Sequence, residues 1–501
     1  MIEQEDLEKD NEQPYFTGVS YDEKFCMHAC PWSELHIEKP ARFTRSLEKC
    51  AEWKLLDRCM KIQGRQATRE ELMTVHSKEY IDLISSCSSK NNVELKAISS
   101  EFNDAYVSIH TFDVASFAVG SLLEAVNSVM TSQCRNAFAL VRPPGHHALF
   151  GEANGFSIFN NVAIACEVAL RRYGLKRVLV VDFDVHHGQG IQRAFYDSHQ
   201  VMYVSIHRYE YGLFWPHLKE SNWDYFVLYL GFGYNINIPL NKCDLGDAEY
   251  LAVFHHLILP LATEFSPELT FICAGYDAAV GCPDGHMKVN PQTYGHLVQM
   301  LCCLATGRVI ASLEGGYCLD SLAYSVAFSV RALLQDPCLP LPPIHDGVDP
   351  LVVEVVLNIA STLRSKWKSM DYFMRTVNHC LSRIKAVTYF ASEATYKYIP
   401  GAVPTCSCEV NTPSNPELLR AVMGYLSKEV PLATNDKRLI GIAYDVPDFE
   451  PVSADSEAFS ISLPTSDPGR SSILYVFLKE ADCSRRLTKW ISEYGCLFGL
   501  F

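Results

Sequence analysis

The chain has 501 residues, 48% hydrophobic and 20% charged, with a formal net charge of −15. That length and balance suit a globular protein of two or more domains around a large core. The negative charge opposes a direct nucleic-acid partner, no uninterrupted apolar run reaches the ~18 residues of a membrane span, and the acidic start MIEQEDLEKDNEQ fits neither a signal nor a transit peptide.

Residues 1–14 read as a disordered acidic tail. From 15 to about 340 one grammar repeats: a short apolar run, a polar glycine-rich loop, then a helical pattern. The runs are NAFALVR (136–142), RVLVVDFD (177–184), VMYVSIHR (201–208), LTFICAGYD (269–277) and RVIASLEGG (308–316). They are β-branched and do not alternate, as expected of strands covered on both faces. Amphipathic stretches at 161–174, 248–265, 291–305 and 319–334 lie between or after them. Strands alternating with helices predict an α/β domain with a mostly parallel sheet.

The proline-rich stretch DPCLPLPPIHDGVDP (336–350) closes this domain, with 341–350 as a linker. Helical patterns resume at 351–388, and a polar loop follows at 404–417. Residues 351–501 carry no catalytic constellation and read as a smaller, non-catalytic, degenerate α/β domain that packs or binds protein partners. The nineteen cysteines are scattered and form no CxxC pair. Without a secretory signal they read as free thiols of a reducing, cytoplasmic or nuclear compartment.

In a parallel sheet, ligands bind beyond the carboxyl ends of the strands. The second run delivers Asp182, Asp184, His186 and His187 there, and the fourth delivers Asp277. The first run leads into RPPGHH with His146 and His147, and the last ends at Tyr317. A lone Asp at a strand end is more often a helix cap, and a histidine pair more often a polar turn. Four strand ends bringing carboxylates, imidazoles and a phenol to one rim point instead to metal-assisted hydrolysis. Asp184, His186 and Asp277 offer three N/O ligands with open positions, as a catalytic metal site requires. His146 and His147 can carry protons, Asp182 can hold His146 from behind, and Tyr317 can donate to an oxyanion.

The motifs RPPGHHA, NGFSIFNNVAIA, VVDFDVHHGQG, SIHRYE, AGYDA and LEGGY resemble, in order and spacing, the zinc-dependent histone deacetylase family over residues 15–340. HHGQG, SIHRYE, FWPHLKESNW and EANGF resemble its class II branch, particularly class IIb, which acts on tubulin-type protein substrates or on polyamines. The resemblance implies an arginase/deacetylase-like three-layer fold and removal of acetyl groups from protein lysines or from acetylpolyamines. It also implies one catalytic zinc on Asp184, His186 and Asp277, His147 as general base and acid, His146 as its electrostatic partner, and Tyr317 as oxyanion donor. Phe156 and Trp215 match walls of an acyl-lysine tunnel, and Asn103 and Asp104 a substrate-holding rim. One or two structural potassium ions map to Asp182, Asp184, His186, Ser205 and Ile206, and to Phe195, Ser198, Val201 and Tyr234.

Asp284 stands where the polyamine branch carries an acidic gatekeeper, a glutamate. Against this, CPWSELHIEKPARF (30–43) lacks the short insert by which that branch narrows its site. Two departures stand out. Bulky residues Phe226–Tyr229 replace a glycine-rich loop, and Cys282 replaces an aspartate, which is expected to loosen the loop holding Asp284. Two rival readings remain: a manganese ureohydrolase and a non-catalytic deacetylase-like scaffold. The first needs an Asp-x-His-x-Asp motif, whereas residues 184–188 end in Gly188.

Overall fold

A computed structural model describes residues 15–225, 231–343 and 347–383, together with three later strands. The acidic tail and the bulky loop at 226–229 lie outside the described residues. Eight strands form one sheet: β1 (Tyr15–Ser20), β2 (Met60–Ile62), β3 (Cys134–Ala139), β4 (Val178–Asp182), β5 (Val201–Arg208), β6 (Asn235–Leu240), β7 (Leu269–Ala274) and β8 (Val309–Leu313). Their order is β2-β1-β3-β8-β7-β4-β5-β6, and every pairing is parallel. All five expected strands are present near their expected bounds. β1, β2 and β6 are additional.

β6 escaped prediction because NINIPL is polar and holds a proline. It lies at the sheet's edge, where a missing backbone donor is tolerated. Asn235 and Asn237 are nonetheless buried, and Asn237 donates to the Glu220 carbonyl at 2.7 Å.

β4, β5, β7 and β8 are buried along their whole lengths, as a sheet flanked by helices demands. Helix Thr111–Met130 packs against β1, β3 and helix Asn161–Tyr173, while Ala41–Glu52, Pro291–Leu301 and Leu319–Leu333 pack together. The first of these is long and apolar enough to cross a membrane by length and composition, although 78% of its most apolar window is buried within the fold. Its unbroken apolar surface is thereby explained as that of a core helix.

The expected boundary near 350 moves. Residues 15–209 and 218–377 form one compact unit, and 210–217 group with the described residues from 378 onward in a second. Helix Pro350–Leu363, expected to open the C-terminal region, instead packs against β6. It buries Val352, Val355, Val356, Ile359 and Leu363, and Trp367 just beyond donates its indole N–H to the Gly233 carbonyl at 2.8 Å. Proline at its first turn starts this helix without ending the domain. In the second unit, Ile440–Tyr444, Ala458–Pro464 and Ser471–Phe477 form an antiparallel sheet with the last of them central.

One buried ion cluster ties the N-terminal segment to the loop after β8. Arg142 grips Glu38 in a fork, Nε to Oε1 at 2.9 Å and an η nitrogen to Oε2 at 2.7 Å. Arg42 reaches the same carboxylate at 3.1 Å and donates to the carbonyls of Gly316 (2.7 Å) and Glu314. Burial opposes the Glu38 charge, but Arg142 and Arg42 hold its carboxyl far below the usual range. A group depressed in this way stabilises the fold above its unfolded pKa of about 4.3, and that stability is lost as pH falls through the acid range. Glu38→Gln is therefore expected to cost about 3–5 kcal/mol at neutral pH, because two guanidinium groups lose their buried counter-ion. The deficit against wild type narrows below about pH 4, because the unfolded wild-type chain then takes up a proton that the folded carboxylate, held far below that range, still excludes. Urea unfolding followed across pH checks both the deficit and its narrowing.

Candidate metal centre

β4 ends at Asp182, and the chain then turns across the rim with Asp184 and His186 on it. β7 runs out to Asp277 beside them. The His186 ring nitrogen Nδ1 lies 3.2 Å from Asp184 Oδ1 and 3.2 Å from Asp277 Oδ2, so three ligand-type atoms face one point. Asp184 and Asp277 are fully buried. His146 and His186 hold the Asp184 carboxyl below its usual range despite burial. Burial and the Asp184 charge push Asp277 up to about 7. Two carboxylates confined so closely repel unless a cation lies between them. The donor set is thus chemically suited to a divalent ion.

The outward oxygens of both acids are also occupied. Gly315 N–H donates to Asp184 Oδ2 at 2.8 Å, and Val185 N–H donates to Asp277 Oδ1 at 2.7 Å. Backbone from β8 and from the β4 loop therefore orients the two ligands.

The histidine pair sits against this group with its ring centroids 3.8 Å apart. His146 Nδ1 faces Asp182 Oδ2 at 3.0 Å, and its Nε2 lies 3.6 Å from Asp184 Oδ2. Burial disfavours its charge, yet Asp184 and Asp182 overcome that and raise its pKa to about 10. Tyr203 donates a further bond to Asp182 Oδ2 at 2.9 Å. His147 Nδ1 lies 2.7 Å from Gln189 Oε1, and Gln189 in turn donates to Asn154 Oδ1 at 3.1 Å. Burial and neighbouring His146 push His147 well below the ordinary imidazole range. Two adjacent imidazoles are thus driven in opposite directions, one cationic and one neutral.

A second metal-capable group, His146, His147 and Asp184, shares Asp184 with the first. Its imidazoles are committed to Asp182 and Gln189. The paired-metal alternative also lacks space, since a Cβ on Gly188 would lie 2.4 Å from the Tyr203 hydroxyl and 2.5 Å from Asp182 Oδ2. An aspartate cannot stand there without displacing both. Among the described residues no cysteine joins a metal-capable group, and every described cysteine is a free thiol.

Tyr317 is partly exposed, its ring edge-on to Phe156 at 5.8 Å and under the Arg42 guanidinium at 5.1 Å. Burial, opposed by Arg42 and assisted by Asp277, raises its pKa well above the ordinary value, so it stays a donor. Phe156 is buried in a left-handed conformation (φ 63°). Its N–H donates to the Asp104 carbonyl at 2.8 Å, and Gly155 N–H donates to Asn103 at 3.0 Å. Phe156, one of the two predicted wall residues, is therefore tied through its backbone to the predicted rim. His36, unassigned from sequence, stands edge-on to Phe156 at 5.0 Å. Trp215 belongs to segment 210–217 of the second unit.

Of the residues expected to hold a first potassium ion, Asp182 at the end of β4 and Ser205 within β5 are register partners. Ser205 Oγ also contacts His207 Nδ1 at 2.9 Å. In the second set, Ser198 N–H donates to the Phe195 carbonyl at 2.9 Å, and Tyr203 N–H to the Tyr234 carbonyl at 2.8 Å. Val201 N–H donates to Ser198 Oγ at 3.4 Å.

The loop carrying Asp284 is not loosened by Cys282. Cys282 is buried, and its backbone N–H donates to the Ala279 carbonyl at 3.1 Å. Sequence reading missed Gln189 and also Glu314, whose Oε2 accepts from Gly145 N–H (2.7 Å) and His146 N–H (3.1 Å) to hold the histidine turn. Both stood inside quoted motifs, HHGQG and LEGGY, without a role.

Residues 36–333 match the histone deacetylase domain model. The chain is 44% identical over 359 residues to human "Polyamine deacetylase HDAC10", covering 71% of this chain and 53% of that protein. It is 36% identical over 345 residues to Caenorhabditis elegans "Histone deacetylase 6", covering 69% and 36% respectively. The crystal structure of the HDA15 HD domain superposes with a TM-score of 0.66 at 33% identity, over 73% of this chain and 99% of that one. The chain spans about half the length of the curated relatives it matches first. By the extent of the domain match and the shared fold, this chain belongs to the histone deacetylase family.

Proposed function

We propose that the protein is a zinc-dependent amidohydrolase that removes acetyl groups from amines borne on thin aliphatic stems, the ε-amine of protein lysines foremost. The observation that carries this reading is the convergence of Asp184, His186 and Asp277 beside His146 and His147. A zinc ion held by the first three would supply Lewis acidity to the amide carbonyl and activate water for attack. The remaining steps belong to the chain's own side chains. His147 donates its Nδ1 proton to Gln189, which leaves the Nε2 lone pair to accept a proton and then return it to the leaving amine. His146, with Nδ1 against Asp182 and Nε2 facing Asp184, is placed to stabilise negative charge as it develops. The Tyr317 hydroxyl donates to the forming oxyanion. Phe156 excludes water from the stem of the substrate. Potassium at the two mapped sets is a structural element of the same proposal.

An acetylpolyamine substrate is the second reading. It is favoured by the acidic residue Asp284 near the metal group and by relatives named as polyamine deacetylases. A carboxylate and an ammonium ~4 Å apart at an effective dielectric of ~20 attract by about 4 kcal/mol before desolvation, enough to decide between substrates. The intact ligand set, histidine pair and tyrosine weigh against a scaffold that has lost catalysis. The test compares an acetylpolyamine with an acetyl-lysine peptide on wild type and Asp284→Leu. If polyamines are the substrate, the substitution lowers the polyamine-to-peptide ratio of kcat/KM by about tenfold or more. An unchanged ratio leaves acetyl-lysine as the substrate class. Failure to hydrolyse either substrate removes the deacetylase reading.

A further inference from the structure

Each ligand in the metal group has an inward atom and an outward one. For Asp184 and Asp277 the outward oxygens receive backbone N–H groups. For His186 the inward atom is Nδ1, and the outward Nε2 lies 3.4 Å from Asp284 Oδ2. We infer that Asp284 is a positioning residue for the metal: its carboxylate pairs with His186 Nε2–H, fixing the imidazole tautomer and ring orientation so that Nδ1 is presented to the ion. The inference rests on the deacetylase reading only for the identity of that ion as zinc.

The fold explains why residue 284 reaches this far. Gly285 packs directly behind Asp277, where a Cβ would lie 2.1 Å from the Asp277 carbonyl oxygen. The loop is therefore pressed against a ligand. Arg208 donates to the Gly285 carbonyl at 3.1 Å, Asp244 N–H donates to the His286 carbonyl at 2.9 Å, and Lys288 N–H donates to Leu245 at 2.7 Å. On the other side, the Cys282 N–H donates to the Ala279 carbonyl at 3.1 Å. With the loop so close, the Asp284 carboxylate comes within 3.4 Å of the imidazole. The Asp284 side chain is about one-third exposed, so its free face still borders the site's mouth.

A carboxylate behind a ligating histidine raises the ligand's basicity, and losing such a partner costs about 10–100-fold in metal affinity. The test measures zinc affinity of the full chain by competition with a chromophoric chelator, without reference to turnover. Wild type is compared with Asp284→Asn, Asp284→Glu and Asp104→Asn, the last removing a nearby acid that lies on the rim. Asp284→Asn is expected to weaken zinc binding about 10–100-fold while Asp104→Asn and Asp284→Glu stay within about threefold of wild type. The inference is overturned if Asp284→Asn binds zinc like wild type. It is equally overturned if Asp104→Asn loses as much, since the effect would then be one of general charge. Equal losses in the Asn and Glu variants would assign the effect to loop shape and also overturn it; thermal melts of the metal-free proteins identify any variant that misfolds, and its loss is then assigned to loop shape. Wild type that binds zinc tightly yet hydrolyses no acetylated amine would refute the proposed function while leaving this inference standing.

Discussion

Replacing His147 by alanine is expected to lower turnover by about 10²-fold or more, with the zinc content and the fold retained. The expectation follows from tautomer geometry. Gln189 presents its amide oxygen to His147 and its NH₂ to Asn154 Oδ1. His147 Nδ1 must therefore carry hydrogen, leaving Nε2 as the acceptor. His146 cannot substitute for it. Its Nδ1 is bound to Asp182, and the flanking acids keep it protonated. The loss falls on kcat, because the imidazole acts on the proton in flight and contributes little to ground-state binding. Steady-state kinetics on acetyl-lysine peptide and acetylpolyamine decide it; wild-type rates in the variant refute the assignment.

Tyr317→Phe removes one oxygen and is expected to lower kcat by about 10²–10³-fold, the typical cost of losing an oxyanion donor. The rest of the contact set survives the change. The ring keeps its edge contact with Phe156 and its place under Arg42. The loop beneath it is held through backbone carbonyls of Glu314 and Gly316, which the substitution does not touch. Unfolding midpoints should match wild type, so a kinetic loss in this variant reports chemistry. An unchanged kcat/KM would remove the hydroxyl from the mechanism.

How far the sequence could be read depended on whether a signal was local. β4, β5, β7 and β8 are fully buried runs with abrupt polar ends, and their apolar continuity announced both the parallel sheet and the rim. Asp184 and His186 stand two residues apart, and His146 and His147 are adjacent, so their pairing was visible without a fold. Other groups are joined only by the folded chain. Glu38 meets Arg142 across 104 positions, Arg42 meets Gly316 across 274, and Glu314 meets Gly145 across 169. Nothing in the spacing of such residues marks them as partners. β6 was hidden for a different reason: its buried asparagines and its proline mimic a loop. Helix Pro350–Leu363 was misassigned because its proline-rich approach looks like a linker, whereas its apolar face belongs to the first unit.

The central claim is that two carboxylates and one imidazole hold a single divalent cation. Metal analysis of the purified full chain by inductively coupled plasma mass spectrometry tests it directly, alongside Asp184→Asn and Asp277→Asn. About one zinc per wild-type chain and strong depletion in both variants is the predicted result. Two manganese ions per chain, or undiminished zinc after loss of either acid, would contradict it.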